Sequence, residues 1–160
     1  MKKLILLAAI AVFGLTNVSA QNFSAGVNVG LPIGDAGDLY SFNVGLDVNA
    51  LWEVSDDFQA GIASGYSHLF GDEINGFDVD DFQYVPLAGA VRFNISDVFQ
   101  IGTDVGYAIA VSDGDGGFYY RPMIGYDVAE NTQINVSLRS ISEEEEGSLF
   151  SVTVGVDIGF

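Results

Sequence analysis

The stretch from Ser148 to Phe160, SLFSVTVGVDIGF, narrows the possible folds more than any other part of the chain. Phe150, Val152, Val154, Val156, Ile158 and Phe160 alternate with Ser151, Thr153, Gly155, Asp157 and Gly159. Only a strand turns a period of two into two faces. A half-buried strand in water usually carries Lys, Glu or Gln on its wet side. Here the second face holds Gly, Ser, Thr and one Asp, which suits a crowded interior. The apolar face must then meet something other than water, and lipid is the natural candidate.

Residues 1–20 read as a cleaved secretion signal. Lys2 and Lys3 give a positive start, Leu4 to Leu15 an apolar run, and Thr16 to Ala20 a small-residue end, with cleavage expected after Ala20. The run is shorter than the roughly 20 residues of a spanning helix. The chain has no cysteine, so neither a lipid anchor nor a disulfide is expected. Residues 21–160 form one domain, with three arginines and no lysine against twenty-two acids. Nucleic acid is excluded as a partner, because phosphate binding needs a basic surface. A soluble barrel would use lysine to keep its outer face and edges wet.

The same alternation recurs in seven earlier stretches: Phe23 to Ile33, Tyr40 to Trp52, Phe58 to Leu69, Phe82 to Asn94, Val98 to Val111, Phe118 to Val128 and Gln133 to Ser140. The fourth breaks phase, with Phe82 and Tyr84 on one parity and Leu87, Val91 and Phe93 on the other. A bulge at Pro86 is expected to reset the facing, so that both halves turn their apolar side outward.

Connections alternate between tight turns (Glu53 to Asp57, Ile95 to Asp97, Ala129 to Thr132) and mostly longer acidic loops (Gly34 to Leu39, Phe70 to Asp81, Ser112 to Gly117, Ile141 to Gly147). The fold class that follows is all-β, an eight-stranded antiparallel up-and-down transmembrane β-barrel with the short turns on the periplasmic side. Aromatic residues gather at both ends, and Trp52, Phe58, Tyr66, Tyr84, Phe99 and Tyr120 are assigned to the girdles. Phe42 and Trp52 are ten residues apart, as are Phe150 and Phe160. A tilted strand of that length spans about 25 Å, the height of an outer-membrane apolar band.

This pattern resembles the small outer-membrane β-barrels of the OmpA and OmpX type, the outer membrane β-barrel domain family, over residues 21–160. The resemblance implies residence in the bacterial cell outer membrane, among outer-membrane lipid and lipopolysaccharide. It also implies insertion by the outer-membrane assembly machinery, which in that family reads a last strand ending in an aromatic residue. Phe150, Val152, Val154, Val156, Ile158 and Phe160 are where that role falls. The peptidoglycan-binding domain of longer members is not expected here.

The charges on the small-residue faces are Asp47, Arg92, Asp104, Arg121, Asp127, Arg139 and Asp157. Eight strands leave an interior just wide enough for side chains to fill, so these are expected to pair in a closed lumen together with Tyr119, Met123 and Gln100. Arg139 and Asp104 are expected to share a mid-lumen layer. His68 falls on the outward parity of its strand and lacks a serine at the spacing a nucleophile would need. Asp113 to Gly117 resembles only part of a calcium loop, and the remaining loop acids, Glu143 to Glu146 among them, read as a solvated, repulsive surface. No metal and no cofactor are expected. The function expected is that of a monomeric, non-enzymatic surface barrel with a structural, adhesive or protective role. A lipid A modifying enzyme and a soluble lipocalin-like carrier are the alternatives.

Overall fold

The computed structural model describes residues 21–112, 115–143 and 147–160. The expected signal at 1–20, Asp113, and the acids at 144–146 lie outside the described residues. In chain order the elements are β1 (Gln21–Ile33), α1 (Asp35–Leu39), β2 (Tyr40–Ser55), β3 (Phe58–Gly71), β4 (Glu73–Ile74), β5 (Phe77–Asp78), β6 (Phe82–Asn94), β7 (Phe99–Ala110), β8 (Gly117–Ala129), β9 (Thr132–Glu143) and β10 (Gly147–Gly159). Eight of these strands close into an antiparallel barrel in the order β1-β10-β9-β8-β7-β6-β3-β2. The terminal strand makes the closure, pairing from Ser24 opposite Gly159 to Ile33 opposite Phe150. The Phe160 amide adds one more bond to the Phe23 carbonyl at 2.9 Å. In hydrocarbon an unpaired backbone group costs several kcal/mol, and closure removes both edges at once.

The barrel is inside out relative to a soluble protein. Val27, Leu31, Leu46, Ile62, Val105, Ile124 and Val154 (48 % exposed) point outward, while Asn43, Asp47, Ser67, Asp104, Arg121 and Thr153 are buried within. A continuous apolar outer wall with a polar bore is the distribution a bilayer selects.

The phase break at Pro86 has a different outcome from the expected bulge. The β6–β7 ladder runs without a shift from Tyr84 opposite Ala110 to Asn94 opposite Gln100. Phe82 and Tyr84 (2 % exposed) therefore keep the parity of Ala88, Ala90 and Arg92 and point into the lumen. Tyr84 is not a girdle residue. The β3–β6 ladder keeps one register on both sides of Pro86, from Ser64 opposite Leu87 to Ser67 opposite Tyr84. There the Ser64 hydroxyl donates to the Pro86 carbonyl at 2.8 Å. A side-chain bond thus serves an acceptor beside the residue that cannot donate, and no bulge is needed.

What Phe82 and Tyr84 do instead is close the loop end. With Leu69, Ala88, Ala108, Tyr119 and Ile141 they form an apolar plug, flanked by Tyr40, Ala110 and Leu149. The rings form a chain, with centroids 5.9 Å apart for Phe82–Tyr84 and 6.2 Å for Tyr84–Tyr119. Ile141, expected in a loop, belongs to β9, which continues to Glu143. Above the plug, α1 packs on β1, β2 and β10 with Ala36 fully buried. The second loop also has structure, since β4 and β5 form a hairpin about Asn75 (φ 53°) and Gly76 (φ 83°). Asn-Gly supplies the two positive φ angles of a type I′ turn.

Val154 is well placed to test the lipid face. Val154→Arg is expected to destabilise the barrel by about 2–4 kcal/mol, the cost of a cation near the bilayer midplane. Urea titration of the heat-modifiable band in lipid vesicles measures it, and an unchanged midpoint would contradict a lipid-facing Val154.

Candidate functional site

Five of the lumen charges come from strands far apart in sequence, and the closed barrel brings them into one ion-paired chain across the bore. Asp47 on β2 lies opposite Gly26 on β1, which in turn lies opposite Asp157 on β10. Asp104 on β7 lies opposite Arg121 on β8. From β8, Arg121 reaches the diametrically opposed strand: its Nη1 is 3.1 Å from Asp47 Oδ1, and its Nε is 3.4 Å from Asp104 Oδ2. Arg139 Nη2 donates to Asp47 Oδ2 at 2.7 Å, and Arg92 Nη1 to Asp104 Oδ1 at 2.6 Å. The result is one alternating chain, Arg139–Asp47–Arg121–Asp104–Arg92, with every member at most 3 % exposed. Arginine suits this position because its rigid fork of donors can serve two carboxylates at once.

Neighbouring groups add further hydrogen bonds. Asn28 donates to Asp47 at 2.8 Å, and the Arg139 Nε to the Thr153 hydroxyl at 3.4 Å. Arg92 also donates to the Val91 carbonyl at 2.9 Å. Two glycines provide space for the network. A Cβ at Gly26 would strike the Asp157 carboxylate, and one at Gly102 would strike the aliphatic stem of Arg92. These are close-approach positions, the reason glycine is used inside a packed strand.

Asp104 and Arg139 are both buried and are joined only through Arg121 and Asp47. Asp127 and Asp157 make no ion pair among the described residues. Asp157 accepts from Asn135 at 3.0 Å, and Asp127 accepts from Gln133 at 2.8 Å. Both line a cavity of about 320 Å³ that opens at the short-turn end, together with Asn49, Gln59, Arg92 and Gln100. Tyr119 stands in the plug rather than beside the cavity, and Met123 accepts a bond from Arg121 Nη2 at 3.6 Å. Asn43 and Ser67 are fully buried, and their side-chain polar atoms have no hydrogen-bond partner among the described residues. Enclosed water is the usual partner of such groups.

Five of the six assigned girdle residues, Trp52, Phe58, Tyr66, Phe99 and Tyr120, lie on the outward parity, with Phe99 packed on Tyr126 at 5.0 Å. Phe150, Val152, Val154, Val156 and Ile158 all face outward, and Phe160 is 83 % exposed at the short-turn end. His68 also faces outward, and its partners are Asp81 at 2.8 Å and Tyr66 at 3.3 Å, with no serine. Among the described residues no three of His, Cys, Asp and Glu are arranged to hold a metal ion. The plug was hidden in the sequence because Phe82 and Tyr84 look like belt aromatics. The unbroken parity through Ala88, Ala90 and Arg92 was the signal that places them inside.

Arg121 links the Arg139–Asp47 and Arg92–Asp104 pairs across the bore, so removing it breaks two buried ion contacts while each carboxylate keeps one arginine. Arg121→Met is expected to cost about 3–5 kcal/mol, the range for breaking a buried pair from one side. Replacing Asp47 and Asp104 by Asn in the same chain should deepen that loss, because Arg139 and Arg92 are then buried without a carboxylate partner. Equilibrium unfolding of the unsubstituted protein and the two variants measures both, and equal stability of Arg121→Met and the unsubstituted protein would remove the brace from the account.

No protein-family model and no curated protein matches the chain. Solved structures do. The attachment invasion locus protein Ail of Yersinia pestis superposes with a TM-score of 0.58 at 14% identity, over 89% of this chain and 100% of that one. The N-terminal β-barrel domain of Pseudomonas aeruginosa OprF gives 0.59 at 15% identity, over 87% and 97%. A de novo designed transmembrane β-barrel gives 0.59 at 15% identity, over 90% and 98%. Identities this low carry the fold alone. Together with the apolar outer wall and the braced polar bore, they make this chain an eight-stranded transmembrane β-barrel with the fold of small outer-membrane barrels such as Ail and the OprF N-terminal domain.

Proposed function

We propose that the protein is a non-enzymatic surface barrel whose lumen conducts nothing and whose loops carry its role, structural or adhesive, outside the cell. The observation that supports this most directly is the pairing of the apolar plug with the arginine brace beneath it. A solute entering from the short-turn cavity meets Arg92 and Asp157, and one entering from the loops meets Phe82 and Tyr84. The absence of a serine beside His68 supports the non-enzymatic reading.

Charge restricts the partner. Ail has been crystallised with the heparin analogue sucrose octasulfate, and a polyanion of that kind needs cations on the surface that receives it. In this chain all three arginines are buried in the lumen and residues 21–160 hold no lysine. The loops present Asp35, Asp38, Asp72, Glu73, Asp78, Asp80 and Asp81. An adhesive partner is therefore neutral or cationic, and sulfated glycans are excluded.

Purified protein in planar bilayers is expected to show no stable open channel, and steady conductance would overturn the closed-lumen reading. It is also expected to pass unretained through a heparin column at low salt. Assembly offers a separate check, because Phe160 is both a girdle ring and the end of the closing strand. Deleting Phe160 should lower the heat-modifiable protein in the outer membrane more than deleting Asn22, which precedes the closing pairs of β1. Equal assembly of the two would remove the terminal aromatic from any role with the assembly machinery.

A further inference from the structure

The outer wall is largely apolar, and at the loop end of β3 and β6 it carries a polar row. There Gln83, Tyr66, His68 and Asp81 join in a hydrogen-bonded row on the outward face. The Tyr66 hydroxyl donates to Gln83 Oε1 at 2.7 Å and lies 3.3 Å from His68 Nδ1, while His68 Nε2 is 2.8 Å from Asp81 Oδ2. Beside the row runs a stack of ring faces, Phe42 on Phe70 (4.4 Å between centroids) and Phe70 on His68 (4.2 Å). Asp81 is further fixed by the Gly71 amide at 2.9 Å. That bond first and the His68 ring second hold its carboxyl below the ordinary range, so it stays an acceptor.

The unused bonding capacity of the row is of both kinds. The Gln83 side-chain amide has N–H donors with no partner among the described residues, and Asp81 is 44 % exposed with lone pairs to spare. Phe42 offers an exposed ring at the edge of the stack. The row lies at the loop end of its strands, as Phe118, Tyr120 and Phe150 do of theirs, so what reaches it in the membrane is a headgroup of the outer leaflet. A phosphate would be repelled by Asp81 and its neighbours Asp80 and Asp72, and an ammonium could not use the Gln83 donors. A hydroxyl donates and accepts, and a sugar ring has an apolar face to set against an aromatic one.

We propose that this row is a docking site for the sugar headgroup of an outer-leaflet glycolipid. The site rests on the outer-membrane placement of the barrel, and it continues the lipid-facing wall upward into the headgroup layer. Its two working ends are the Gln83 amide and the Asp81 carboxylate, with Tyr66 and His68 holding them in position. The proposed contact is non-covalent and leaves the lipid unchanged.

The test uses the whole barrel in phosphatidylcholine nanodiscs doped with one of three lipids: a monoglucosyl diacylglycerol, phosphatidylethanolamine or phosphatidylglycerol. Heat-modifiable mobility first establishes that the barrel is inserted, which keeps failure of the docking site distinct from failure of the barrel reading. In the glucolipid discs, nuclear Overhauser contacts are expected between sugar protons and the Gln83 side-chain amide. Native mass spectrometry should show glucolipid enriched about fivefold over the other two dopants, the worth of one or two net hydrogen bonds. Gln83→Leu and Asp81→Asn should bring the enrichment close to unity while leaving the heat-modifiable band in place. An inserted wild-type barrel without sugar contacts would overturn the proposal. So would equal enrichment of the amine or phosphate lipid, or unchanged enrichment in both variants. If a variant fails to insert, the wild-type contacts decide the matter.

Discussion

Everything in this barrel depends on the rule that a backbone group in hydrocarbon must find its partner within the protein. Strand pairing meets that rule everywhere except at two edges, and β1 meeting β10 eliminates both. Closure fixes which face is inside, because a strand has only two. Once the ring is shut, the alternating Gly, Ser, Thr and Asp face has no choice but to share a narrow bore. The polar chemistry of the chain is thereby concentrated where eight strands converge.

That bore is organised in three levels. At the loop end it is dry and aromatic, in the middle it is charged, and at the short-turn end it opens as a polar cavity. The middle level is the costly one, since each buried ion loses several kcal/mol of hydration. Arg121 offsets that loss by serving Asp47 on the far wall and Asp104 on the adjacent strand. The same side chain fixes the distance between opposite walls, so the brace specifies geometry as well as charge balance. Asn28, Thr153 and the Val91 carbonyl add hydrogen bonds to the same chain.

The strands were legible in the sequence because membrane barrels repeat one strong signal, and every one of the eight was found within a few residues of its ends. Side-chain facing was legible for the same reason, down to all seven lumen charges. What could not be read was who pairs with whom across the bore. Arg139 and Asp47 are 92 residues apart and meet only after closure. The plug was missed through a local ambiguity, since Phe82 and Tyr84 before a proline satisfy the belt pattern as well as the interior one. The Asn75-Gly76 hairpin is legible in its turn residues alone, although it lies inside an acidic loop. His68 was correctly faced outward, but its row with Tyr66, Gln83 and Asp81 depends on loop residues whose course no periodicity describes.

The space left at Gly26 for the Asp157 carboxylate, and at Gly102 for the Arg92 stem, bears on how such a chain can diverge over evolutionary time. Each glycine is a socket shaped by another residue, so the two change in a fixed order. A side chain gained at Gly26 needs the Asp157 carboxylate to withdraw and the strand beside it to give at the Val156 carbonyl, so the lineage passes through the emptier intermediate. The outer wall imposes no such order. Valine, leucine, isoleucine and phenylalanine exchange there singly, each tolerated by a fluid neighbour. Half of the chain is therefore free to change one letter at a time while the other half changes in coupled steps. That is a physical route by which a barrel keeps its shape after nearly all recognisable kinship in its letters has gone.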